Sequence, residues 1–366
     1  MITQQQVIDA LSNVEEPDLK KDLVTLNMIK DVAVDGNNVS FTVVLTTPAC
    51  PLKELIRNAC INAVKYYVSQ EAEVTVNLTA NTTRSTNADD VLLPGVKNII
   101  AVASGKGGVG KSTVTANIAV ALAQTGARVG IIDADIFGPS IPIMFGLQDE
   151  RLFVEEKNGK TMMIPASRFG VKVLSIGFIA DTNQAIVWRG PMASRALKQL
   201  ISDAEWGELD YLFVDLPPGT SDIHLTLVSA VPLTGAVIVS TPQQVALADA
   251  RKAIGMFQME SIHVPILGLV QNMAYFTPAE LPENKYYIFG KDGGEKLATE
   301  LGIPFLGEIP IVQSICDGGD QGIPIVMDED SKAAIAFYTA ARNTAQQIAI
   351  RNAHQPPTQR VMAAGF

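Results

Sequence analysis

The sequence predicts an α/β protein in which a mainly parallel sheet is covered by helices on both faces and is preceded by a small α/β domain. Its 366 residues are about twice a typical single domain, and 47% of them are hydrophobic, which is enough for a large core. Apolar runs of strand length alternate with longer amphipathic segments, a pattern typical of parallel sheets buried between helix layers. The predicted strands are 99–103, 129–133, 171–176, 211–215, 236–240 and 266–271.

The small domain comes first. Apolar spacing from Val7 predicts a helix that Pro17 ends, and alternation predicts strands over 39–45 and 74–78. A second helix is expected to begin between these strands at Cys50-Pro51, with proline in its first turn. A polar run rich in Thr and Asn, closed by Pro-Gly, then predicts a linker. The predicted divisions are 1–78 (small domain), 79–97 (linker), 98–352 (second domain, with a closing helix from Ser331 to about Asn352) and 353–366 (irregular tail).

Composition excludes several classes of protein. With 28 basic and 38 acidic residues the net charge is −10, which argues against general nucleic-acid binding. No apolar run reaches the ~18 residues of a membrane span, and no export signal is visible at the N-terminus. Three cysteines are too few for a disulfide framework. We therefore expect a cytoplasmic protein that binds neither nucleic acid nor membrane.

The segment Gly105–Ser112 reads G-K-G-G-V-G-K-S and matches the phosphate-binding loop G-x-x-x-x-G-K-[ST]. It follows the predicted strand 99–103 and precedes a predicted helix over 112–124, so backbone N–H groups and the helix N-terminus would face a phosphate. The sequence thus predicts a P-loop NTPase in which Lys111 reaches the phosphates and Ser112 binds Mg²⁺. The predicted nucleotide-binding residues of the loop are Gly105, Lys106, Gly107, Gly108, Val109, Gly110, Lys111, Ser112 and Thr113.

Carboxylates follow two other predicted strands. Asp133 and Asp135 come directly after one strand, and Asp215 ends another. A carboxylate beside the phosphate loop can hold a Mg²⁺-bound water, which is the role expected for Asp215, while Asp135 would orient the attacking water. The alternative for any one of these residues is that it caps a helix.

Lys106 turns the loop into the K-G-G-x-G-K-[ST] variant, which resembles the deviant Walker-A ATPases such as MinD and ParA. Further segments resemble the Mrp/ApbC family of iron–sulfur cluster carriers, and the first domain is similar to the small domain of iron–sulfur assembly factors. The segments that carry this resemblance are Leu45–Pro51, Val187–Met192, Asp215–Thr220, Ser240–Gln244, Asn272-Met273 and Phe289-Gly290.

The resemblance implies a homodimer that hydrolyses ATP, with Mg²⁺, and assembles or delivers iron–sulfur clusters. Its partners would be apo iron–sulfur proteins or assembly factors. Lys106 would reach across to the partner's nucleotide, so that Lys106, Lys111 and Asp135 form the catalytic set. Asn272 would read adenine, or alternatively serve as an ordinary strand-end cap. Pro310 would begin the loop on the other side of the base.

The sequence departs from the family after Asn272-Met273, where Mrp-type subunits place a C-x-x-C pair and together bind a [4Fe–4S] cluster. Thr277, Pro278, Glu280 and Glu283 occupy this stretch instead. Clusters are normally held by thiolates, and carboxylates suit other metals better. The family's usual cluster-binding pair is therefore absent from this stretch. The alternative is a nucleotide-switched scaffold or regulator that carries no cluster.

The three cysteines elsewhere in the sequence offer few replacements for the missing cluster ligands. Cys50 matches the cysteine of the assembly-factor pattern, and a helix N-terminus there would lower its thiol pKa, which makes it a candidate iron–sulfur ligand. Its alternative is a small buried hydrophobe. Cys60 lies on an apolar stripe and is expected in the core, whereas Cys316 is expected near the nucleotide rim. The histidines, His224, His263 and His354, form no metal-ligand pair.

Overall fold

The computed structural model describes residues 2–361 except 86–91, 137, 158, 179–189, 279 and 282. The chain divides into two compact units, one of residues 1–83 with 349–355 and the other of residues 84–348 with 356–366. Residues 187–189 of the Val187–Met192 segment, and residues 86–91 of the predicted linker, lie outside the described residues.

The first unit packs two helices against a three-stranded sheet. Its elements are α1 (Gln4–Leu11), β1 (Glu15–Glu16), β2 (Lys21–Asp22), β3 (Ile29–Asp35), β4 (Asn38–Leu45), α2 (Lys53–Tyr67) and β5 (Glu73–Ala80). The sheet has the order β3-β4-β5, with β3 antiparallel to β4 and β5 parallel to it. Residues alternate along β4 between buried and more exposed, as expected of a sheet with one face in the core.

Both helices of this unit differ from the prediction at one end. The first helix stops at Leu11 rather than at Pro17. The N–H groups of Asn13 and Val14 donate to the carbonyls three residues back, Ala10 and Leu11, both at 3.1 Å, so the chain turns more tightly than an α-helix there. The second begins at Lys53 rather than at Cys50-Pro51. A turn closed by the Cys50 N–H on the carbonyl of Thr47, at 3.3 Å, occupies the positions where the helix was expected to start.

The second unit is built on an eight-stranded sheet. Its elements are β6 (Ile99–Ala103), α3 (Lys111–Gln124), β7 (Val129–Asp133), α4 (Ile141–Met144), β8 (Phe153–Lys157), β9 (Lys160–Ile164), β10 (Ala166–Arg168), β11 (Val171–Ser175), α5 (Gly190–Ser202), β12 (Tyr211–Asp215), α6 (Asp222–Ala230), β13 (Gly235–Ser240), α7 (Gln244–Gln258), β14 (Ile266–Gln271), α8 (Gly293–Leu301), β15 (Phe305–Glu308), α9 (Gln313–Gln321) and the part of α10 (Lys332–His354) up to residue 348. The strand order is β10-β11-β7-β12-β6-β13-β14-β15. All strands of this sheet are parallel except β10, which is antiparallel to β11.

The inner strands are buried at every position, because helices cover the sheet on both faces. All six strands predicted for this unit are present within one residue at each end, and the closing helix is α10. The prediction missed the edge strands β10 and β15 and the hairpin β8–β9. These are short or exposed, so they lack the continuous apolar run that marks an inner strand.

The fold class predicted from the sequence is confirmed. Strand β6 lies between β12 and β13, and β12 lies between β6 and β7. The carboxyl ends of these strands therefore meet at one edge of the sheet, where ligand sites of open α/β sheets lie. Within the described residues, no helix combines the length and apolar character needed to cross a bilayer.

Candidate functional site

The loop between β6 and α3 has a backbone that only glycine adopts without strain. Gly108 and Gly110 have φ of +80° and +77°, in the left-handed region. A Cβ on Gly105 would lie 2.1 Å from the backbone carbon of Asp249 on α7, so a larger residue has no room at the start of the loop. Gly110 is the N-cap of α3 and offers no side-chain acceptor, which leaves the first turn of the helix ready to bind an anion.

Three polar side chains of α3 converge on the carboxylate of Asp215 at the end of β12. Lys111 Nζ lies 2.8 Å from Asp215 Oδ2, and the Ser112 hydroxyl donates to the same oxygen at 2.6 Å. The Thr115 hydroxyl donates to Asp215 Oδ1 at 2.7 Å. Asp215 is fully buried and Lys111 is 6% exposed. The structure therefore brings the predicted residues Lys111, Ser112 and Asp215 together, and it adds Thr115.

A second buried carboxylate lies beside the first. Asp133 ends β7 directly across from Asp215 in the parallel register, and burial together with the Asp215 charge raises the pKa of Asp133 to about 8. It accepts hydrogen bonds from the Asp135 and Ile141 N–H groups, both at 3.2 Å, and from the Ser175 hydroxyl at 3.0 Å. Asp133 thus orders the loop that carries the half-buried Asp135.

Lys106 is half-buried in the loop, and its backbone carbonyl is fixed by a hydrogen bond within the protein. The Ser104 hydroxyl donates to the Lys106 carbonyl at 3.0 Å, and the Gly219 N–H donates to the Ser104 carbonyl at 2.8 Å. These bonds join the phosphate loop to the segment that follows Asp215. The structure consequently places Lys106 in the loop as predicted, while its reach toward a partner subunit remains a prediction.

A cavity of about 400 Å³ opens beside the N-terminus of α3. This volume is within the range of small-ligand pockets, about 300–1,000 Å³. Both base-binding residues predicted from the resemblance, Asn272 and Pro310, line it together with Gly110 and Thr113. Asn272 Nδ2 also donates to the Val109 carbonyl at 2.8 Å, inside the phosphate loop. The cavity and the loop therefore form one continuous site.

Chain segment 276–286, where the family places its C-x-x-C pair, is closed by an antiparallel bridge between Phe276 and Tyr286. Thr277 is half-buried and Glu283 is exposed. Lys332 Nζ lies 2.6 Å from Glu283 Oε1, and its hydrogen bond lowers the pKa of that carboxyl. Two exposed side chains form this pair, so it contributes little stability. The sequence of this segment contains no sulfur.

The environment of Cys50 contradicts the lowered thiol pKa expected from the sequence. Its side chain is buried ahead of α2, and burial raises the pKa of Cys50, with the charges of Glu16 and Asp18 adding to the effect. Cys60 is fully buried in the core as predicted, and burial raises its pKa to about 12. Cys316 is exposed and lines the cavity near the phosphate loop.

The chemistry of the site fits a nucleotide with Mg²⁺. Glycine backbone, a helix N-terminus and Lys111 suit phosphate oxygens, and the oxygens of Ser112 and Asp215 are the hard ligands that Mg²⁺ prefers. An iron–sulfur cluster would be cargo, and thiolates normally hold it. In the part of the chain that the structure describes, no group of three or more His, Cys, Asp or Glu side chains could hold a metal ion.

The parallel sheet, the loop after β6 and the carboxylates at the neighbouring strand ends define a P-loop NTPase. Residues 95–347 match the family described as the NUBPL iron-transfer P-loop NTPase, and residues 4–78 match the family described as iron–sulfur cluster assembly protein. The chain belongs to the NUBPL iron-transfer P-loop NTPase family, with an iron–sulfur assembly domain ahead of the NTPase. The resemblance inferred from the sequence is confirmed.

Relatives of this chain carry names from iron–sulfur metabolism. The iron–sulfur cluster carrier protein of Synechocystis sp. is 49% identical over 350 residues, which cover 95% of this chain and 98% of the relative. The protein of the same name from Deinococcus radiodurans is 43% identical over 354 residues, covering 96% and 98%. A solved nucleotide-binding protein of Archaeoglobus fulgidus in complex with ADP is 39% identical, covers 70% of this chain and 98% of its own, and has a TM-score of 0.58.

Proposed function

We propose that this protein is an ATP-hydrolysing homodimer that assembles iron–sulfur clusters or delivers them to apoproteins in the cytoplasm. The observation that carries the ATPase part is the convergence of Lys111 and Ser112 on Asp215 beside the phosphate loop. The names of the relatives and the assembly domain at residues 4–78 support the cluster part. ATP binding and hydrolysis would open and close the subunits and so load or release cargo.

Each residue of the site has a defined task in this proposal. Lys111 offsets the charge of the phosphates, and Lys106 does so for the partner's nucleotide. Asp135 orients the attacking water from the loop that Asp133 orders. Ser112 would hold Mg²⁺ directly and Asp215 would hold it through water. When bound, Mg²⁺ supplies further positive charge where negative charge develops on the phosphates.

The ATPase part is tested with Lys111→Ala, measured by nucleotide binding and phosphate release. We expect turnover to fall by about 100-fold or more, because one preorganised charge at a transferring phosphoryl group is worth that much. Lys296→Ala, an exposed lysine on α8, is the matched control and should hydrolyse ATP at the wild-type rate. Unchanged hydrolysis in Lys111→Ala would overturn the site assignment.

The cluster part requires ligands other than the family's usual pair. Cys50 lies at the edge of the buried core and Cys316 is exposed, and one such thiol from each subunit supplies only half of a four-thiolate set. We propose Cys50 as the first candidate, because it matches the assembly-factor pattern in the domain at residues 4–78. Its buried, high-pKa thiol would have to be exposed and deprotonated when a cluster binds.

A second candidate function is a nucleotide-switched scaffold without a cluster. It is favoured by Thr277, Glu280 and Glu283, whose oxygen-bearing side chains stand where the family places its cysteine pair. Anaerobic reconstitution with iron and sulfide distinguishes the two, with Cys50→Ala and Cys60→Ala prepared in parallel. About four iron and four sulfide per dimer, lost in Cys50→Ala and retained in Cys60→Ala, would support a carrier with relocated ligands. No retained iron with intact ATP hydrolysis would support the scaffold.

A further inference from the structure

Asn272 makes a contact inside the phosphate loop that binding a base does not require. Its side chain is 6% exposed and its Nδ2 donates to the Val109 carbonyl at 2.8 Å, across 163 positions of sequence. Val109 is itself buried between the loop glycines Gly108 and Gly110. A buried amide hydrogen bond of this kind is costly to leave unmade, so it restrains the loop backbone at this point.

The backbone at Gly110 and at Met273, on either side of this hydrogen bond, has a left-handed conformation at both residues. A Cβ on Gly110 would lie 2.2 Å from Asn272 Nδ2, so the two segments are in direct contact. Met273, the next residue, has φ of +53°, which is uncommon for a residue that is not glycine. Strain of this kind persists where the surrounding structure holds it, and here it accompanies the turn that follows Asn272.

The segment that carries Asn272 is also hydrogen-bonded to strand β13 and to residues 309–311, which contribute to the cavity wall around Pro310. The Asn272 N–H donates to the Ser240 carbonyl at 2.8 Å, and the Ala274 N–H donates to the Ile309 carbonyl at 2.9 Å. In return, the Ile311 N–H donates to the Tyr275 carbonyl at 2.7 Å. The wall around Pro310 and the phosphate loop are thus joined through one short segment, residues 272–275.

We propose that Asn272 is a positioning residue for the phosphate loop, and that it couples occupancy of the base cavity to the placement of the phosphates. The inference rests on the proposed nucleotide binding at this loop. A residue that only contacted the base would affect nucleotide affinity alone. A residue that also holds Val109 affects the geometry in which the terminal phosphate reacts, and it affects ligands that have no base.

The test compares Asn272→Asp and Asn272→Ala with Ile315→Ala in the full-length protein. Asn272→Asp keeps the size of the side chain but sets an oxygen against the Val109 carbonyl in place of the donor. Ile315 lines the same cavity and is the control for loss of a cavity wall. Steady-state ATP hydrolysis gives kcat and KM, calorimetry gives the affinity for Mg²⁺-tripolyphosphate, and thermal unfolding checks the fold.

We expect both Asn272 variants to lose about tenfold in kcat and about tenfold in tripolyphosphate affinity, the effect of one buried hydrogen bond. Ile315→Ala should mainly raise KM for ATP, with losses in kcat and in tripolyphosphate affinity that are clearly smaller than those of the Asn272 variants. A rise in KM alone in the Asn272 variants would overturn the proposal. If wild-type protein hydrolyses no ATP, the proposed ATPase function fails, and the tripolyphosphate affinities alone decide the role of Asn272.

Discussion

The Thr115 hydroxyl donates to Asp215 Oδ1 at 2.7 Å, while Lys111 and Ser112 contact Oδ2 of the same carboxylate. Both oxygens of Asp215 are therefore held by α3, and Thr115 is itself fully buried. A carboxylate bonded on both sides cannot rotate freely. The consequence is that Asp215 is oriented toward the phosphate loop by residues from two successive turns of one helix.

Thr115→Val tests this orientation, because valine keeps the shape of threonine and removes the hydroxyl. We expect kcat for ATP to fall about tenfold and the free energy of unfolding to fall by about 2 kcal/mol, as for loss of a hydrogen bond to a charged group. Steady-state hydrolysis and urea unfolding measure the two effects. Thr115→Ser retains the hydroxyl and should restore most of kcat. Equal kcat in the valine and serine variants would contradict the role.

Gly110→Ala tests the close approach between the phosphate loop and Asn272. The added Cβ would lie 2.2 Å from Asn272 Nδ2. The alanine would also have to adopt a φ of +77°, which side chains other than hydrogen disfavour. We expect ATP affinity to fall by more than about tenfold, since the loop must shift to relieve the contact. Isothermal titration with ATP measures the loss.

Gly126→Ala separates backbone strain from steric contact. Gly126 follows the same helix α3 and has φ of +95°, and a Cβ added there would have no neighbour within 4 Å. This variant should lose about 1 kcal/mol of stability and bind ATP as the wild type does. Similar ATP affinities in the two alanine variants would show that the contact with Asn272 is unimportant.

The buried His224 predicts a loss of stability in mild acid. Burial lowers its pKa from 6.5 to about 4, and its Nδ1 accepts the Ser221 N–H at 3.2 Å. Between these pKa values the unfolded state binds a proton that the folded state does not, so stability falls as pH falls from 6.5 toward 4. For this one group the loss between about pH 7 and pH 5 is about 2 kcal/mol.

His224→Gln should remove this part of the pH dependence, because glutamine can accept the Ser221 N–H in the same capping box and does not titrate. Urea unfolding at both pH values measures it. The wild type should lose about 2 kcal/mol more than the variant on acidification. The same loss in both proteins would mean that His224 is protonated in the folded state.

Ser112→Ala tests the predicted Mg²⁺ ligand. Removing the hydroxyl leaves Asp215 with Lys111 and Thr115 but takes away the oxygen that would bind the ion directly. We expect the Mg²⁺ concentration for half-maximal hydrolysis to rise about tenfold, the effect of one lost ligand. Ser112→Thr keeps the oxygen and serves as the control. An unchanged Mg²⁺ requirement in the alanine variant would remove Ser112 from the ion site.

Much of the fold could be predicted from the sequence, because inner parallel strands are apolar on both faces and stand out as continuous runs. The hairpin β8–β9 could not, since its residues are mostly exposed, and the edge strands β10 and β15 could not, since they are only three and four residues long. The predicted start of α2 was wrong for a local reason. The turn that Thr47 closes on Cys50 leaves no mark in apolar spacing, and it shifts the helix by three residues, from position 50 to Lys53.

The sequence by itself determined the phosphate loop, since Gly105–Ser112 are contiguous and their chemistry depends on local backbone conformation. Only the tertiary structure decided which distant groups complete the site. Thr115 meets Asp215 across 100 positions and Asn272 meets Val109 across 163, distances over which no spacing rule applies. The pKa of the Cys50 thiol was likewise decided only by the tertiary structure, because burial raises it and burial is a property of the folded chain.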